Sequence, residues 1–125
     1  MRKFEKVSRD VFEIDVPDGN YDELILPKRG TKYSAGYDFY SPIDFILMPG
    51  ERKVIPTGIK VCMEENEGHI FVCLKNEGDK EVNINKGDRF VQGIFTPYLI
   101  TDDDSATGNR EGGIGSTNKG DDNNE

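Results

Sequence analysis

The sequence predicts an all-β fold, a jelly roll or distorted β-barrel, and three observations lead to that prediction. Short apolar or alternating runs recur between residues 37 and 100, and seven Phe and five Tyr are available for a core. Turn-forming residues separate the runs, as in "PG" at 49–50 and "KGD" at 86–88. Short strands separated by turns at this spacing are typical of an antiparallel sandwich or barrel.

The predicted strands follow one another closely from Tyr37 onward. The stretch "YDFYSPIDFILM" contains two runs with a break at Pro42, and Pro56 predicts a bulge or an edge position within "RKVIPTGIKVCM". "EENEG" is interpreted as a hairpin loop that ends at Gly68, and it leads into the strands "HIFVCLKN" and "EVNIN". The run "RFVQGIFTPYLI", residues 89–100, predicts a last long strand.

The two ends of the chain differ from this central pattern. Residues 1–33 are interpreted as a lead-in, in which "SRDVFEIDV" fits a short helix capped by Ser8 or a strand. Both readings stay open at this level. After Ile100 the apolar pattern is lost, so we expect a β domain over residues 1–100 and a mobile C-terminal arm over residues 101–125.

Composition excludes several classes of function. The chain has 125 residues and a formal net charge of −8 without a basic stripe, which argues against a nucleic-acid polymer as partner. A small phosphorylated ligand needs only a local group of donors. No apolar run reaches the length of a membrane span, and no apolar signal core is present, so cytoplasmic residence is expected. Cys62 and Cys73 lie in apolar runs and are expected to be buried thiols; together with His69 they do not complete a zinc ligand set.

A glycine-rich stretch in the arm, "NREGGIGSTNKG", carries groups suited to phosphate. Glycines allow close approach of backbone N–H groups, and Ser116 and Thr117 add hydroxyls. Arg110 adds a planar guanidinium fork, and Ile114 could cover a flat ring. The stretch therefore predicts an arm that closes over a phosphorylated compound, with a plain linker as the alternative. It is not a P-loop, because the "GK[ST]" ending is absent.

Three segments resemble signatures of the dUTPase family, in the order in which that family carries them. "AGYDFYS" (35–41) resembles the first signature, "GDRFVQG" (87–93) the fourth, and "REGGIGST" (110–117) the fifth. The resemblance implies a β jelly roll that assembles as a homotrimer, with the arm reaching over a neighbour's site. It implies hydrolysis of dUTP to dUMP and pyrophosphate, by attack of water on the α-phosphate with Mg²⁺ as cofactor.

The resemblance also assigns candidate site residues. The phosphate-binding candidates are Gln92, Arg110, Gly112, Gly113, Gly115, Ser116 and Thr117. Ile114 stands where many members carry a Phe that covers uracil. Asp38, Asp88 and Arg89 are supporting candidates: Asp38 either assists the water shell of Mg²⁺ or orders the strand, and Asp88 either shapes the site or only forms a turn. Mg²⁺ is expected to bind through phosphates and water near Asp38 and Gln92, without a direct protein ligand.

Two of the family's signatures are absent. The second is an Arg-Ser-Ser-like phosphate grip, and the third carries the hairpin that reads uracil and the aspartate that acts as general base. The resemblance therefore implies that a segment is lacking near residues 64–68, between Met63 and His69, and the catalytic base is unknown. Three explanations compete: a segment omitted from the sequence, a deletion that abolishes hydrolysis, or a shortened relative with a true hairpin.

Three functional hypotheses follow. The first is a dUTP-hydrolysing enzyme. The alternative is a catalytically inactive dUTPase-like module that binds nucleotides or proteins. A deaminase acting on dCTP ranks third, because no pair of residues is evident that would activate water against a cytosine ring.

Overall fold

The computed structural model describes residues 1–64 and 66–108, with the backbone alone at Asn66. Strands dominate this part of the chain, which confirms the predicted all-β class. The strands are β1 (Arg2–Lys6), β2 (Lys28–Arg29), β3 (Tyr37–Tyr40), β4 (Phe45–Leu47), β5 (Arg52–Met63), β6 (Asn66–Lys75), β7 (Val82–Ile84) and β8 (Arg89–Gly93). A helix, α1 (Arg9–Asp15), and a 3₁₀ turn (Tyr21–Glu23) lie between β1 and β2.

The described strands form three antiparallel sheets, ordered β1-β5-β6, β2-β3-β8 and β4-β7. The sheets do not close into a barrel: β6 and β8 are edge strands of their respective sheets. One core cluster lies between β4 and β5, where the buried side chains are Phe45, Leu47 and Ile55. The break predicted at Pro42 separates β3 from β4, as expected.

Helix α1 settles the alternative left open for the N-terminal stretch. The Ser8 hydroxyl accepts a hydrogen bond from the Val11 N–H at 3.2 Å, which caps the first turn. Phe12 is 1% exposed and packs edge-on against Tyr21, with ring centroids 5.4 Å apart. The helix therefore forms because one aromatic side chain anchors it, and Val7 and Val16 complete this second cluster.

Strand β1 was not predicted from the sequence. It pairs with the far end of β5, with Arg2 opposite Met63 and Lys6 opposite Ile59. Phe4 projects from β1 and lies 5.4 Å, ring to ring, from Phe39 of β3. This aromatic contact joins the first sheet to the second.

The bulge predicted at Pro56 is present in β5. The register shifts between Pro56 and Lys60, and Gly58 within the bulge has φ +80°, a conformation that favours glycine. A Cβ at Gly58 would also lie 3.0 Å from the Phe12 ring. The Thr57 hydroxyl donates to the carbonyl of Ile70 at 2.7 Å and so satisfies a group that the bulge leaves unpaired.

His69 has a structural role at the same bulge. Its Nε2 accepts the Gly58 N–H at 2.9 Å, so the ring proton lies on Nδ1 and is donated to Asp15 Oδ2 at 2.9 Å. The side chain is 11% exposed. This histidine therefore ties α1 to the sheet.

Three expectations are corrected. The last strand ends at Gly93 rather than Ile100, because no neighbouring strand pairs with residues 94–100 in the described part of the chain. β6 begins at Asn66, so the hairpin turn is tighter than "EENEG" suggested. Cys73 is exposed and Cys62 only partly buried, so the two thiols are not core residues.

None of the helices in the described residues is long and apolar enough to cross a membrane.

Candidate active site

A row of three polar side chains crosses the second sheet. Lys28 of β2 lies opposite Asp38 of β3, and Asp38 lies opposite Gln92 of β8. Residues directly opposite in antiparallel strands project to the same face of the sheet. The amide Nε2 of Gln92 donates to Asp38 Oδ1 at 2.9 Å. The structure thus brings together one residue from the first signature and one from the fourth.

A bulge in β8 adds an arginine to this face. Phe39 lies opposite Val91, but Tyr40 lies opposite Arg89, so Phe90 is the extra residue. Because Tyr40 and Asp38 are two residues apart, Arg89 shares the face of Asp38. Its Nη1 lies 3.8 Å from Asp38 Oδ2.

Gly36 allows Gln92 to take its place in the row. A Cβ at Gly36 would lie 2.7 Å from Oε1 of Gln92 and 3.1 Å from its Cδ. Such contacts are too short for real side chains, so any larger residue would displace the amide. A glycine is therefore required at this position of "AGYD" because a side chain would collide with Gln92, which the sequence alone did not reveal.

These residues line a polar cleft of about 440 Å³. Its walls come from the Gly30–Ser34 loop, from Gly36 and Asp38, and from residues 89–92 of β8. Asp38 is 8% exposed as a residue, whereas Arg89 and Gln92 are exposed. The cleft thus offers an amide and a guanidinium to a ligand above an ordered carboxylate, a combination suited to phosphate oxygens.

Asp88 forms a turn and does not line the cleft. Its Oδ2 accepts the Asn85 N–H at 2.8 Å, and its own N–H donates to the Asn85 carbonyl at 2.9 Å. Gly87 precedes it with φ +90°. Of the two roles considered for Asp88, the structure supports the turn.

The remaining candidates lie outside the described residues. They are the arm residues Arg110, Gly112, Gly113, Ile114, Gly115, Ser116 and Thr117.

Asp38 is the only carboxylate among the described residues that line the cleft. Oδ1 accepts the Gln92 amide and Oδ2 faces Arg89, so this group is held in place by two partners. Glu67, which lies close to the expected position of the missing segment, pairs with Lys60. The described part of the cleft therefore holds no carboxylate free to take a proton from water.

An open apolar groove of about 710 Å³ lies next to the cleft and shares its border at residues 91–92. Side chains from both sheets line it, among them Phe4, Phe39, Val61, Ile70 and Phe95. The edge strands β6 and β8 both contribute to its walls. The groove lies between the first and second sheets, at the place where they do not close into a barrel.

Lys28 is the member of the polar row that sequence reasoning missed. It precedes the first resembling segment and belongs to a strand of only two residues. The signal that could have found it is the run "KRGTK", which carries three cations and no acid.

The fold and this cleft define a class of protein, an all-β domain with a polar cleft on a sheet face. A family model described as dUTPase matches residues 22–67. The deoxyuridine 5'-triphosphate nucleotidohydrolase of Lactococcus lactis subsp. lactis is 35% identical over 130 aligned positions, covering 74% of this chain and 87% of the relative. The enzyme of that name from Haemophilus influenzae is 29% identical, covering 88% of this chain and 97% of the relative.

Solved structures agree with these relatives. The dUTPase from Streptococcus mutans has a TM-score of 0.59 at 25% identity, covering 79% of this chain and 98% of the other. A mutant dUTPase from phage phi11 of S. aureus, described with a structural Mg(II) ion, has a TM-score of 0.54 at 18% identity, covering 86% and 99%. The chain belongs to the dUTPase family.

The alignments also show a difference in length. The Lactococcus alignment spans 130 positions, more than the 125 residues of this chain, although only 74% of the chain takes part. About 93 residues of this chain take part in the alignment, so about 37 of its positions are residues that the relative carries and this chain lacks. The match to the family model ends at Glu67.

Proposed function

We propose that this chain hydrolyses dUTP to dUMP and pyrophosphate, with the triphosphate bound in the polar cleft. The observation that carries the proposal is the hydrogen bond between Asp38 and Gln92, inside a cleft of a dUTPase family member. A solved phage 80alpha dUTPase, at a TM-score of 0.54, is described with the nucleotide dUpNHpp. That neighbour supports a deoxyuridine triphosphate as the ligand here.

Each cleft residue has a separate task in this reaction. Asp38 fixes the orientation of the Gln92 amide, which leaves the second amide proton of Gln92 free to donate to a phosphate oxygen. Arg89 offsets phosphate charge from the same face. Water attacks the α-phosphorus, and the bond to the bridging oxygen of the leaving pyrophosphate breaks.

The donor set fits a Mg²⁺ ion that is carried by the substrate. Among the described residues no group of three His, Cys, Asp or Glu side chains is placed to hold a metal. Asp38 retains lone pairs that can accept hydrogen bonds from the water shell of an ion bound to phosphates. When bound, Mg²⁺ neutralises phosphate charge and polarises the bond to be broken.

The arm is proposed to close the cleft. Arg110 and the "GGIGST" stretch supply the guanidinium, N–H and hydroxyl donors that the described cleft provides only in part. Ile114 then shields the base from water without ring stacking.

We propose that the segment absent from this chain lies between β5 and β6. The end of the family match at Glu67 supports this position, as does the tight turn at Glu64, which has φ 43°. A positioned general base contributes about 10² to 10⁴ in rate. Because the family's aspartate falls in the absent segment, we expect turnover lower than that of relatives by about this factor.

A homotrimer is proposed for the assembly. Tyr98, Leu99 and Ile100 are 85%, 98% and 67% exposed, and the apolar groove is open beside the same segment. Apolar surface of this extent is commonly covered by another protein surface. Light scattering should give about three times the 14.1 kDa chain mass, and Leu99→Asp should lower it. A monomer at micromolar concentration would contradict the assembly.

The activity is tested by following pyrophosphate release from dUTP, with and without Mg²⁺. Wild type is expected to release pyrophosphate above the rate of Mg²⁺ alone, and Gln92→Ala is expected to reduce this excess about tenfold at dUTP concentrations below KM. Asn83→Ala is the matched control, because Asn83 is an exposed strand amide on β7. If wild type releases no more pyrophosphate than a protein-free control, the proposed hydrolysis is contradicted. The chain would then be an inactive dUTPase-like module.

A further inference from the structure

Lys28 lies at the edge of the cleft, and the loop that follows it lines one wall through Gly30 and Ser34. Lys28 lies opposite Asp38 in register, and the Cβ atoms of such a pair are about 4.5 to 5.5 Å apart. Its side chain therefore rises on the cleft face, next to the carboxylate that orders Gln92. From this geometry we infer that Lys28 is a substrate-binding residue, which contacts the phosphates of the triphosphate. The inference rests on the proposed function and adds a residue to that site.

The loop that follows Lys28 is held by its own hydrogen bonds. Nη1 of Arg29 donates to the carbonyl of Lys32 at 2.8 Å and to that of Ser34 at 3.3 Å. The hydroxyls of Thr31 and Ser34 are 2.6 Å apart, and the Ser34 N–H donates to the Thr31 carbonyl at 3.2 Å. Since Ser34 lines the cleft, this clamp fixes one wall in place before substrate arrives.

No described carboxylate neutralises the cations at this edge of the cleft. Among the described residues no carboxylate lies within 4.0 Å of the charged atoms of Lys28, Arg29 or Lys32. Other cations of the described chain do have such partners, for example Lys60 with Glu67 and Lys86 with Glu23. Other described cations, such as Lys75 and Lys80, also lack a carboxylate partner, but Lys28 differs from them because it lies in register with Asp38 of the cleft.

A triphosphate needs more positive charge than Arg89 supplies. Among the described residues that line the cleft, Arg89 is the one that carries a guanidinium, and it faces Asp38 at 3.8 Å, so part of its field is already offset. The Arg-Ser-Ser-like signature, which grips phosphates in the family, is absent from this sequence. Lys28 stands on the correct face to supply a replacement charge, and the neighbouring cations of the loop add to the attraction at longer range.

The plainest competing role for Lys28 is neutralisation of Asp38 within the protein. That role requires an ion pair, and none is formed within 4.0 Å; the cation near Asp38 is Arg89. If Lys28 binds phosphate, its loss should weaken the affinity for a ligand more strongly the more phosphate charge that ligand carries. A role in neutralising Asp38 predicts no such gradation.

The test measures affinities by titration calorimetry for wild type, Lys28→Gln and Lys28→Arg. The probes are inorganic tripolyphosphate, a non-hydrolysable dUTP analogue and dUMP. Lys75→Gln is the matched control, because Lys75 is an exposed strand lysine on the other sheet. Lys28→Gln is expected to weaken the affinity for tripolyphosphate and for the analogue roughly tenfold, and the affinity for dUMP by less than about twofold. Lys28→Arg is expected to retain most of the affinity, and Lys75→Gln all of it.

The outcomes separate this inference from the proposed function. If Lys28→Gln binds both triphosphate probes within twofold of wild type and wild type hydrolyses dUTP, the inference is overturned. The proposed function is then supported. If Lys28→Gln loses tripolyphosphate binding while wild type releases no pyrophosphate from dUTP, the inference is supported and the proposed function is contradicted. Binding of neither probe by wild type overturns both. An equal loss for Lys75→Gln would show a general charge effect and would also overturn the inference.

Discussion

The Gln92 amide donates to the Asp38 carboxylate at 2.9 Å, across two neighbouring antiparallel strands that are 54 residues apart in sequence. Each residue comes from a different family signature, and neither is useful to a ligand alone. The carboxylate fixes which way the amide points, and the amide covers a carboxylate that is almost buried. We propose this hydrogen-bonded pair as the functional unit of the cleft.

Replacing Gln92 by Ala should weaken the binding of a triphosphate by about tenfold, since a hydrogen bond to a charged group contributes about 1.5 to 3 kcal/mol. Thermal stability should change little, because Gln92 is exposed. Calorimetry and a thermal melt measure the two quantities. A large fall in melting temperature together with unchanged affinity would assign Gln92 to the fold instead.

Gly36→Ala should reduce triphosphate affinity without unfolding the protein. The new Cβ would lie 2.7 Å from Oε1 of Gln92, and the amide can move away because it ends a flexible side chain. Gly78→Ala is the control, since Gly78 contacts Asn76 and not the cleft. If Gly36→Ala binds the triphosphate as tightly as wild type does, the position of the Gln92 amide does not matter for binding.

Restoring the absent segment should raise turnover. Insertion of the corresponding residues of the Lactococcus relative after Glu64 returns a general base and should increase kcat by about 10² to 10⁴. A Gly/Ser insert of the same length serves as the control. Equal rates for the two inserted proteins would show that the segment supplies no catalytic group at this position.

Cys62 should react more slowly with iodoacetamide than its partial exposure suggests. The thiol donates to Glu5 at 3.1 Å, and this hydrogen bond, followed by burial, raises the pKa of Cys62. A raised pKa means less thiolate at pH 8, and the rate should climb as the pH increases. Glu5→Gln removes the carboxylate charge, so it should lower the pKa and speed alkylation at fixed pH. Mass spectrometry of the Cys62 peptide gives both rates, and an unchanged rate would contradict the assignment.

Phe12→Ala should destabilise the protein by about 3 to 5 kcal/mol, because it empties the centre of the N-terminal cluster. Ile14→Ala on the same helix is the control: Ile14 is 78% exposed and should change the free energy of unfolding by no more than about 0.5 kcal/mol. Urea denaturation compares the two variants. Similar effects would mean that α1 is not anchored through Phe12.

The sequence was informative wherever local chemistry decides the structure. The cap at Ser8, the break at Pro42 and the bulge at Pro56 all follow from properties of one or two residues. Residues of the first and fourth signatures line one cleft, and their roles there stay a prediction.

The errors arose where distant parts of the chain decide. Strand β1 is a strand because β5 lies beside it, more than fifty residues later. Residues 94–100 have strand-like composition, but a strand requires a paired neighbour. Cys73 lies in a continuous apolar run, in which periodicity cannot distinguish the inner face from the outer face; it lies opposite Val54, which is 56% exposed. Lys28 gained its significance only from its register with Asp38.

The central claim is that the cleft around Asp38 and Gln92 holds the triphosphate of a deoxyuridine nucleotide. The most direct measurement is a calorimetric titration of wild type and Gln92→Ala with a non-hydrolysable dUTP analogue and Mg²⁺. The account predicts one site per chain in wild type and affinity about tenfold weaker in the variant. Equal affinity in the two proteins, or no heat with wild type, would contradict it.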